Sequence, residues 1–249
     1  MSMPEALIFD VDGTLADTER DGHRVAFNLA FRDAGLDWEW SPELYGELLA
    51  VTGGKERIRY YLERYHTAFT RPADFVAGLH KAKTAHYTRL LGEGKIPLRP
   101  GVRRLLLEAR AAGVRLAVAT TTTPANVIAL LENCLGSDAP EWFEVIAAGD
   151  VVPAKKPAPD IFRLALSELD LKPEQCLAFE DSKNGVRSSL GAGLPTIVTP
   201  CGYTLDDDFS DALLVVDSLG EPDRPFKVLA GDAHGHTLVD LALIAALRP

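Results

Sequence analysis

The chain is poor in sulfur: three Cys and two Met among 249 residues. Cys134, Cys176 and Cys201 are odd in number, far apart and match no metal-ligand spacing, which excludes a disulfide scaffold or zinc module and fits a reducing compartment. No apolar run exceeds strand length, so no membrane-spanning helix is expected. The opening MSMPEALIFD has neither the basic segment nor the apolar core of a secretory signal. A cytoplasmic location is expected, or the plastid stroma if a transit peptide has been removed. Low-complexity tracts are missing too, and 47% hydrophobic with 25% charged residues excludes disorder, collagen and coiled coil. A chain of this length buries roughly 70–75% of its unfolded surface, in one large or two modest domains.

Positive charge is the other scarcity. Lys and Arg number 26 against 36 Asp and Glu, a net −10, so neither nucleic acid nor an anionic membrane is expected as a partner. The imbalance is uneven, however. Residues 51–110 hold thirteen Lys/Arg against five acids, an excess of eight positive charges inside an acidic protein. A solvated helical face accounts for part of this, Lys81 and Lys83 included. The segregation also suits a small anionic ligand.

Short apolar runs occur at 5–10, 114–120, 144–148, 176–180, 195–199 and 213–217. Most are continuous rather than alternating, as in strands covered on both faces. Helical patterns lie between them at 101–112, 124–135, 159–169 and 183–192, two of them ended by Gly113 and Gly193. Strand alternating with helix predicts an α/β fold with a doubly wound, Rossmann-like parallel sheet. The helix-rich interval 15–97 breaks the alternation and reads as an inserted helical domain. Residues 1–14 and 98–249 then form the core domain, with a Pro- and Gly-bearing return hinge at 95–101. A closing helix is expected at 239–247.

In such sheets ligands sit at the carboxyl ends of the strands. Those ends deliver Asp10 and Asp12 ahead of Gly13, the hydroxyls Thr120, Thr121 and Thr122, and Glu180 with Asp181; a loop before the 159–169 helix delivers Lys156. Four carboxylates converging on one crevice need a cation, and an all-oxygen ligand set favours Mg²⁺ over Zn²⁺. Asp10 can bind the metal and still present an oxygen as nucleophile, while Asp12, just past the strand end, is placed for general acid–base work. Thr120 and Lys156 suit phosphate oxygens, by hydrogen bond and by charge. Each piece alone is an ordinary turn or helix cap. Together, in this order and at strand ends, they describe phosphoryl transfer.

Asp10-Val-Asp-Gly-Thr-Leu15, the Thr after Leu-Ala-Val-Ala, Lys156-Pro157 and Glu180-Asp181 resemble the four motifs of the haloacid dehalogenase superfamily, and the 15–97 insert resembles its C1 cap. The resemblance implies that Asp10 forms an aspartyl-phosphate, that Asp12 is the acid and base, and that Mg²⁺ is held by Asp10, the Asp12 carbonyl and Asp181, with Glu180 close by. Stretches such as 17–28, 53–57, 77–84, 98–101, 148–153 and 202–204 are similar to the CbbY-type phosphatases, which dephosphorylate xylulose 1,5-bisphosphate. That likeness reaches to about Asp208. It implies a phosphorylated sugar as substrate. A monomer is expected.

A bisphosphate needs one phosphate at the metal and cations for the other. Lys55 and Arg57, beside Gly53 and Gly54, are the expected distal-phosphate residues; Glu19 and His23 would face sugar hydroxyls. A P-loop reading of Gly53-Gly54-Lys55 fails, because Leu49 stands where its first Gly should be and Glu56 where its Ser/Thr should be. A signalling receiver domain fails on the place of its Asp and on the insert. β-Phosphoglucomutase-like isomerases share the motifs but tend to carry a lysine soon after motif two, where this chain has Thr121-Thr-Thr-Pro-Ala-Asn126. That isomerase and phosphatases of phosphoglycolate or other small sugar phosphates remain the alternatives.

Overall fold

The structure, a computed structural model, describes residues 3–70, 72–94 and 96–247. Among these, seven strands form one sheet in the order β3-β2-β1-β4-β5-β6-β7. They are β1 (Ala6–Phe9), β2 (Arg115–Thr120), β3 (Val145–Ala148), β4 (Cys176–Glu180), β5 (Thr196–Val198), β6 (Leu214–Val216) and β7 (Val228–Ala230). All neighbours run parallel except β6 and β7. β1 lies centrally between β2 and β4, with Phe9 level with Val118 on one side and Phe179 on the other.

Both faces of the sheet are covered, which is why the strand sequences are apolar throughout. Leu7 and Phe9 point into one core with Leu116, Val118 and Phe179, the Phe9 and Phe179 rings stacking at 4.5 Å. Ala6 and Ile8 point the opposite way, against Ile161, Phe162 and Ala165. The first core is closed by α5 (Val102–Ala111), α6 (Pro124–Leu135) and α9 (Leu241–Leu247), the second by α7 (Asp160–Leu169). α8 (Lys183–Gly191) follows β4 directly. Helix starts obey local chemistry: the hydroxyls of Thr123 and Ser182 accept from the amides of Asn126 and Gly185.

The predicted elements occur, generally trimmed by a residue or two at the ends, and the closing helix begins at Leu241. β7 was not predicted. It is three residues long, exposed and antiparallel on the sheet edge, so it carries no continuous buried run for a sequence to display.

Between β1 and α5 lie α1 (Arg24–Asp33), α2 (Pro42–Leu48), α3 (Gly54–Tyr65) and α4 (Phe75–Gly92), preceded by a wide π-type turn at Glu19–His23. They enclose an aromatic cluster of their own around Phe27, Phe31, Trp38, Trp40, Tyr45 and Tyr61. The same helices also send Ala26, Tyr87, Leu90 and Leu91 into the main core. The outgoing and returning segments run side by side, Ala16 bridging to Leu98 and the Arg99 amide donating to the Leu15 carbonyl at 2.9 Å.

One residue departs from expectation here. Lys81 is exposed, but Lys83 is 4% exposed. Its position explains this: Val76, Leu79, Lys83, Tyr87 and Leu90 follow the three- and four-residue spacing of one helical face, and that face is buried.

Candidate active site

Asp10 stands at the carboxyl end of β1, its amide held by the Phe179 carbonyl at 3.0 Å. Lys156, on the β3–α7 loop before a cis Pro157, reaches it from across the sheet. Its Nζ donates to Asp10 Oδ1 at 2.7 Å and to Glu180 Oε1 at 2.6 Å. Asp10, Glu180 and Asp181 each bring a carboxylate oxygen within 4.8 Å of the others, and all three residues are buried. Two glycines make the crowding possible. A Cβ on Gly13, whose φ is +87°, would sit 2.0 Å from Asp181 Oδ2, and one on Gly185 would sit 1.8 Å from Glu180 Oε2.

The electrostatics of this cluster are unbalanced. Burial pushes the carboxyls of Asp10 and Asp181 up, and that of Glu180 to about 8. Burial also opposes the charge on Lys156, but Asp10 and Glu180 outweigh it and hold the ammonium above its ordinary range. Three buried carboxyls face one buried ammonium. The all-oxygen donor set and the missing positive charge fit a hard divalent cation.

Asp12 turns the other way. Thr18 Oγ1 donates to its Oδ1 at 2.5 Å, and His23 Nε2 lies 2.7 Å from the same oxygen. Burial would raise this carboxyl, yet His23 beside it, the bonds from His23 and Thr18 and the nearby Lys83 ammonium prevail, so it stays well below the usual carboxylate range. Lys83 Nζ lies 2.8 Å from His23 Nδ1. With the lysine donating there, the imidazole keeps its proton on Nε2 for Asp12. Burial lowers the Lys83 ammonium to about 8. His23, expected to face sugar hydroxyls, is thus a buried partner of Asp12.

A cavity of about 370 Å³ opens over these groups, lined by Asp10, Asp12, Thr120, Thr121, Lys156, Glu180 and Asp181 from the sheet and by Glu19 and Arg57 from the insert. Arg57 is buried, donating to the Tyr45 hydroxyl at 2.8 Å with Glu19 3.9 Å away; the Tyr45 hydroxyl in turn donates to Glu19. The other expected substrate residues lie elsewhere. Lys55 pairs with Asp150 and lines, with Gly54, His80, Thr121 and Lys155, a neighbouring cavity of about 320 Å³. Gly53 backs onto Glu56 and Lys155, and the Thr122 hydroxyl accepts from Asn126 Nδ2 at 2.8 Å. Sequence reasoning missed Lys183, Asn184 and Tyr203 on the wall of the first cavity. Lys183 and Asn184 directly follow Glu180-Asp181-Ser182 and could have been flagged on that ground; Tyr203 is brought in by a distant loop.

An α/β sheet that gathers an Asp, a Lys and two further acids under a helical insert defines a class of phosphate-ester enzymes. Residues 4–193 match the haloacid dehalogenase-like hydrolases, and the chain belongs to this family. It is a phosphoric monoester hydrolase. Protein CbbY of Cereibacter sphaeroides is 53% identical over 219 residues, 88% of this chain and 94% of that protein. A phosphorylated carbohydrates phosphatase of Thermotoga maritima is 31% identical over 195 residues, 78% of this chain and 83% of that protein. A crystal structure of mutant CbbY from Rhodobacter sphaeroides in complex with xylulose-(1,5)bisphosphate superposes with a TM-score of 0.82 at 52% identity, covering 87% of this chain and 95% of that one.

Proposed function

We propose that this chain is a Mg²⁺-dependent sugar bisphosphate phosphatase that converts xylulose 1,5-bisphosphate to xylulose 5-phosphate. The observation that carries the reading is the cavity itself. At its floor Lys156 holds Asp10 within a carboxylate cluster, and on its wall Arg57 supplies a second, separate cation. A substrate with a phosphate at each end matches both. The likeness to CbbY and that protein's complex with xylulose bisphosphate support this choice of sugar.

Asp10, the Asp12 main-chain carbonyl and Asp181 would hold Mg²⁺, with Glu180 beside them. When bound, the ion supplies the positive charge the cluster lacks and screens the phosphate from Asp10. Asp10 attacks phosphorus: an O–P bond forms to its carboxylate, the ester P–O bond breaks, and Asp12 protonates the leaving sugar oxygen. A water then attacks the aspartyl-phosphate, giving its proton to Asp12 and releasing phosphate and free Asp10. The contacts from His23 and Thr18 favour the ionised Asp12 that this second step needs. Lys156 and the Thr120 hydroxyl hold the oxygens of the group in transfer. Residues 15–97 act as a cap over a core of 1–14 and 98–249 and exclude bulk water during the first step. The chain works as a monomer on a small phosphorylated sugar.

The test is phosphate release with Mg²⁺ on xylulose 1,5-bisphosphate, ribulose 1,5-bisphosphate, fructose 1,6-bisphosphate, phosphoglycolate and β-glucose 1-phosphate, beside the Asp10→Asn variant. Xylulose 1,5-bisphosphate should give the highest kcat/KM, and Asp10→Asn should fold yet show no turnover. A preference for phosphoglycolate, or formation of glucose 6-phosphate without phosphate release, would overturn the substrate assignment. Turnover by Asp10→Asn would overturn the mechanism.

A further inference from the structure

Arg99 lies on the returning hinge segment, and its guanidinium is spent on main-chain carbonyls. Nη1 donates to the carbonyl of Gly13 and to Thr199, at 2.5 Å to its carbonyl and 3.3 Å to its hydroxyl. Nη2 donates to the carbonyls of Pro200 at 2.8 Å and Asp217 at 3.1 Å. These oxygens come from the ends of three strands, β1, β5 and β6. Only the planar, multi-donor fork of an arginine can satisfy four diverging carbonyls at once.

Two of the contacts lead to Asp181 from opposite sides. Gly13 follows Asp12 and lies against the Asp181 carboxylate so closely that a Cβ would overlap it. Pro200 precedes Cys201, whose amide donates to Thr204 Oγ1 at 2.9 Å, and that hydroxyl donates to the Asp181 carbonyl at 2.6 Å. The Thr199 amide meanwhile donates to the Glu180 carbonyl at 2.9 Å. The clamp therefore spans the backbone under every acid of the site except Asp10. We infer that Arg99 is a positioning residue for the hydrolysis: by holding the Gly13 and Thr199–Pro200 carbonyls it keeps Asp12 and Asp181 in register with Asp10. The inference rests on the proposed metal and acid–base roles of those aspartates.

The test compares wild type, Arg99→Lys and Arg99→Met by three measurements: Mg²⁺ affinity by calorimetry without substrate, kcat and KM on xylulose 1,5-bisphosphate, and melting temperature. Outer groups that orient metal ligands are typically worth about 10–100-fold in metal affinity or activity. Both variants should lose that much in Mg²⁺ affinity and in kcat, while KM moves less than about threefold because neither phosphate site has been altered. Arg99→Lys, which keeps the charge and some of the donors, should melt close to wild type and still show the loss. If Arg99→Met fails to fold, Arg99→Lys decides. Mg²⁺ affinity and kcat within twofold of wild type in folded Arg99→Lys would overturn the inference, as would a rise in KM at unchanged kcat. A wild-type protein that neither binds Mg²⁺ nor releases phosphate would instead overturn the proposed function, and this inference with it.

Discussion

Replacing Lys156 by Met is the sharpest probe of the buried charge balance. The lysine is 6% exposed, and its ammonium makes two short bonds, to Asp10 at 2.7 Å and to Glu180 at 2.6 Å. Methionine is close to isosteric with the stem, so packing changes little and the loss is electrostatic. Breaking a buried ion pair from one side costs about 3–5 kcal/mol, because the abandoned charge stays buried. Here Asp10 and Glu180 both lose their partner, but burial already pushes both carboxyls up, so proton uptake offsets part of the cost and the whole of that range applies. For a protein of this size each kcal/mol moves the melting temperature by roughly 2–4 °C, so a fall of about 6–20 °C is expected. The assay is differential scanning calorimetry at pH 7.5 with chelator and again with excess Mg²⁺. A ligand at 100 times its Kd adds about 2.7 kcal/mol, and the ion should recover more stability in the variant, where it has more uncompensated charge to meet. Phosphatase activity should vanish in both conditions. A variant melting within about 2 °C of wild type in chelator would refute the premise that Lys156 balances these carboxylates.

Three further expectations follow from particular contacts. Gly185→Ala places a Cβ 1.8 Å from Glu180 Oε2, so that carboxylate must move; Mg²⁺ affinity measured by calorimetry should fall at least tenfold, and an unchanged affinity would remove Glu180 from the metal's surroundings. His80 is lowered to about 4 from 6.5 by burial and then by the nearby charges of Lys83, Lys55 and Lys155. The unfolded chain therefore binds more protons across that window, so stability falls as pH drops from 6.5 towards 4, by on the order of 2 kcal/mol. Urea unfolding of His80→Gln should be flatter over the same range, and an identical slope would show that another group is responsible. Arg57→Gln should raise KM for a bisphosphate at least tenfold more than for a monophosphate, whereas Lys55→Ala, whose lysine is turned to Asp150 outside the main cavity, should alter that ratio less than twofold in steady-state kinetics.

The α/β architecture, the insert and the acidic strand ends were legible because each depends on local pattern. A parallel strand buried on both faces must be a continuous apolar run, and the chemistry of such a sheet must lie where those runs stop. Asp10, Asp12, Thr120, Glu180 and Asp181 were candidates read from those ends, and Lys156 from the loop before α7. Residues whose roles depend on a distant partner were not. Lys83 reads as a helix-surface lysine until its apolar face is seen to close over His23. Lys55, two residues from Arg57, looks equally suited to a phosphate, but successive helical side chains diverge, and one faces Asp150 while the other faces the cavity. Arg99 stands in the distinctive 98–101 stretch, but its contacts were not legible there, because its partners are main-chain carbonyls up to 118 positions away. The sequence by itself determined the fold class and the candidate reacting groups, since both follow from residue type and spacing along one element. Only the tertiary structure decided which cations line the main cavity and which carbonyls Arg99 ties together beneath the acids, because those depend on where side chains from separate elements meet.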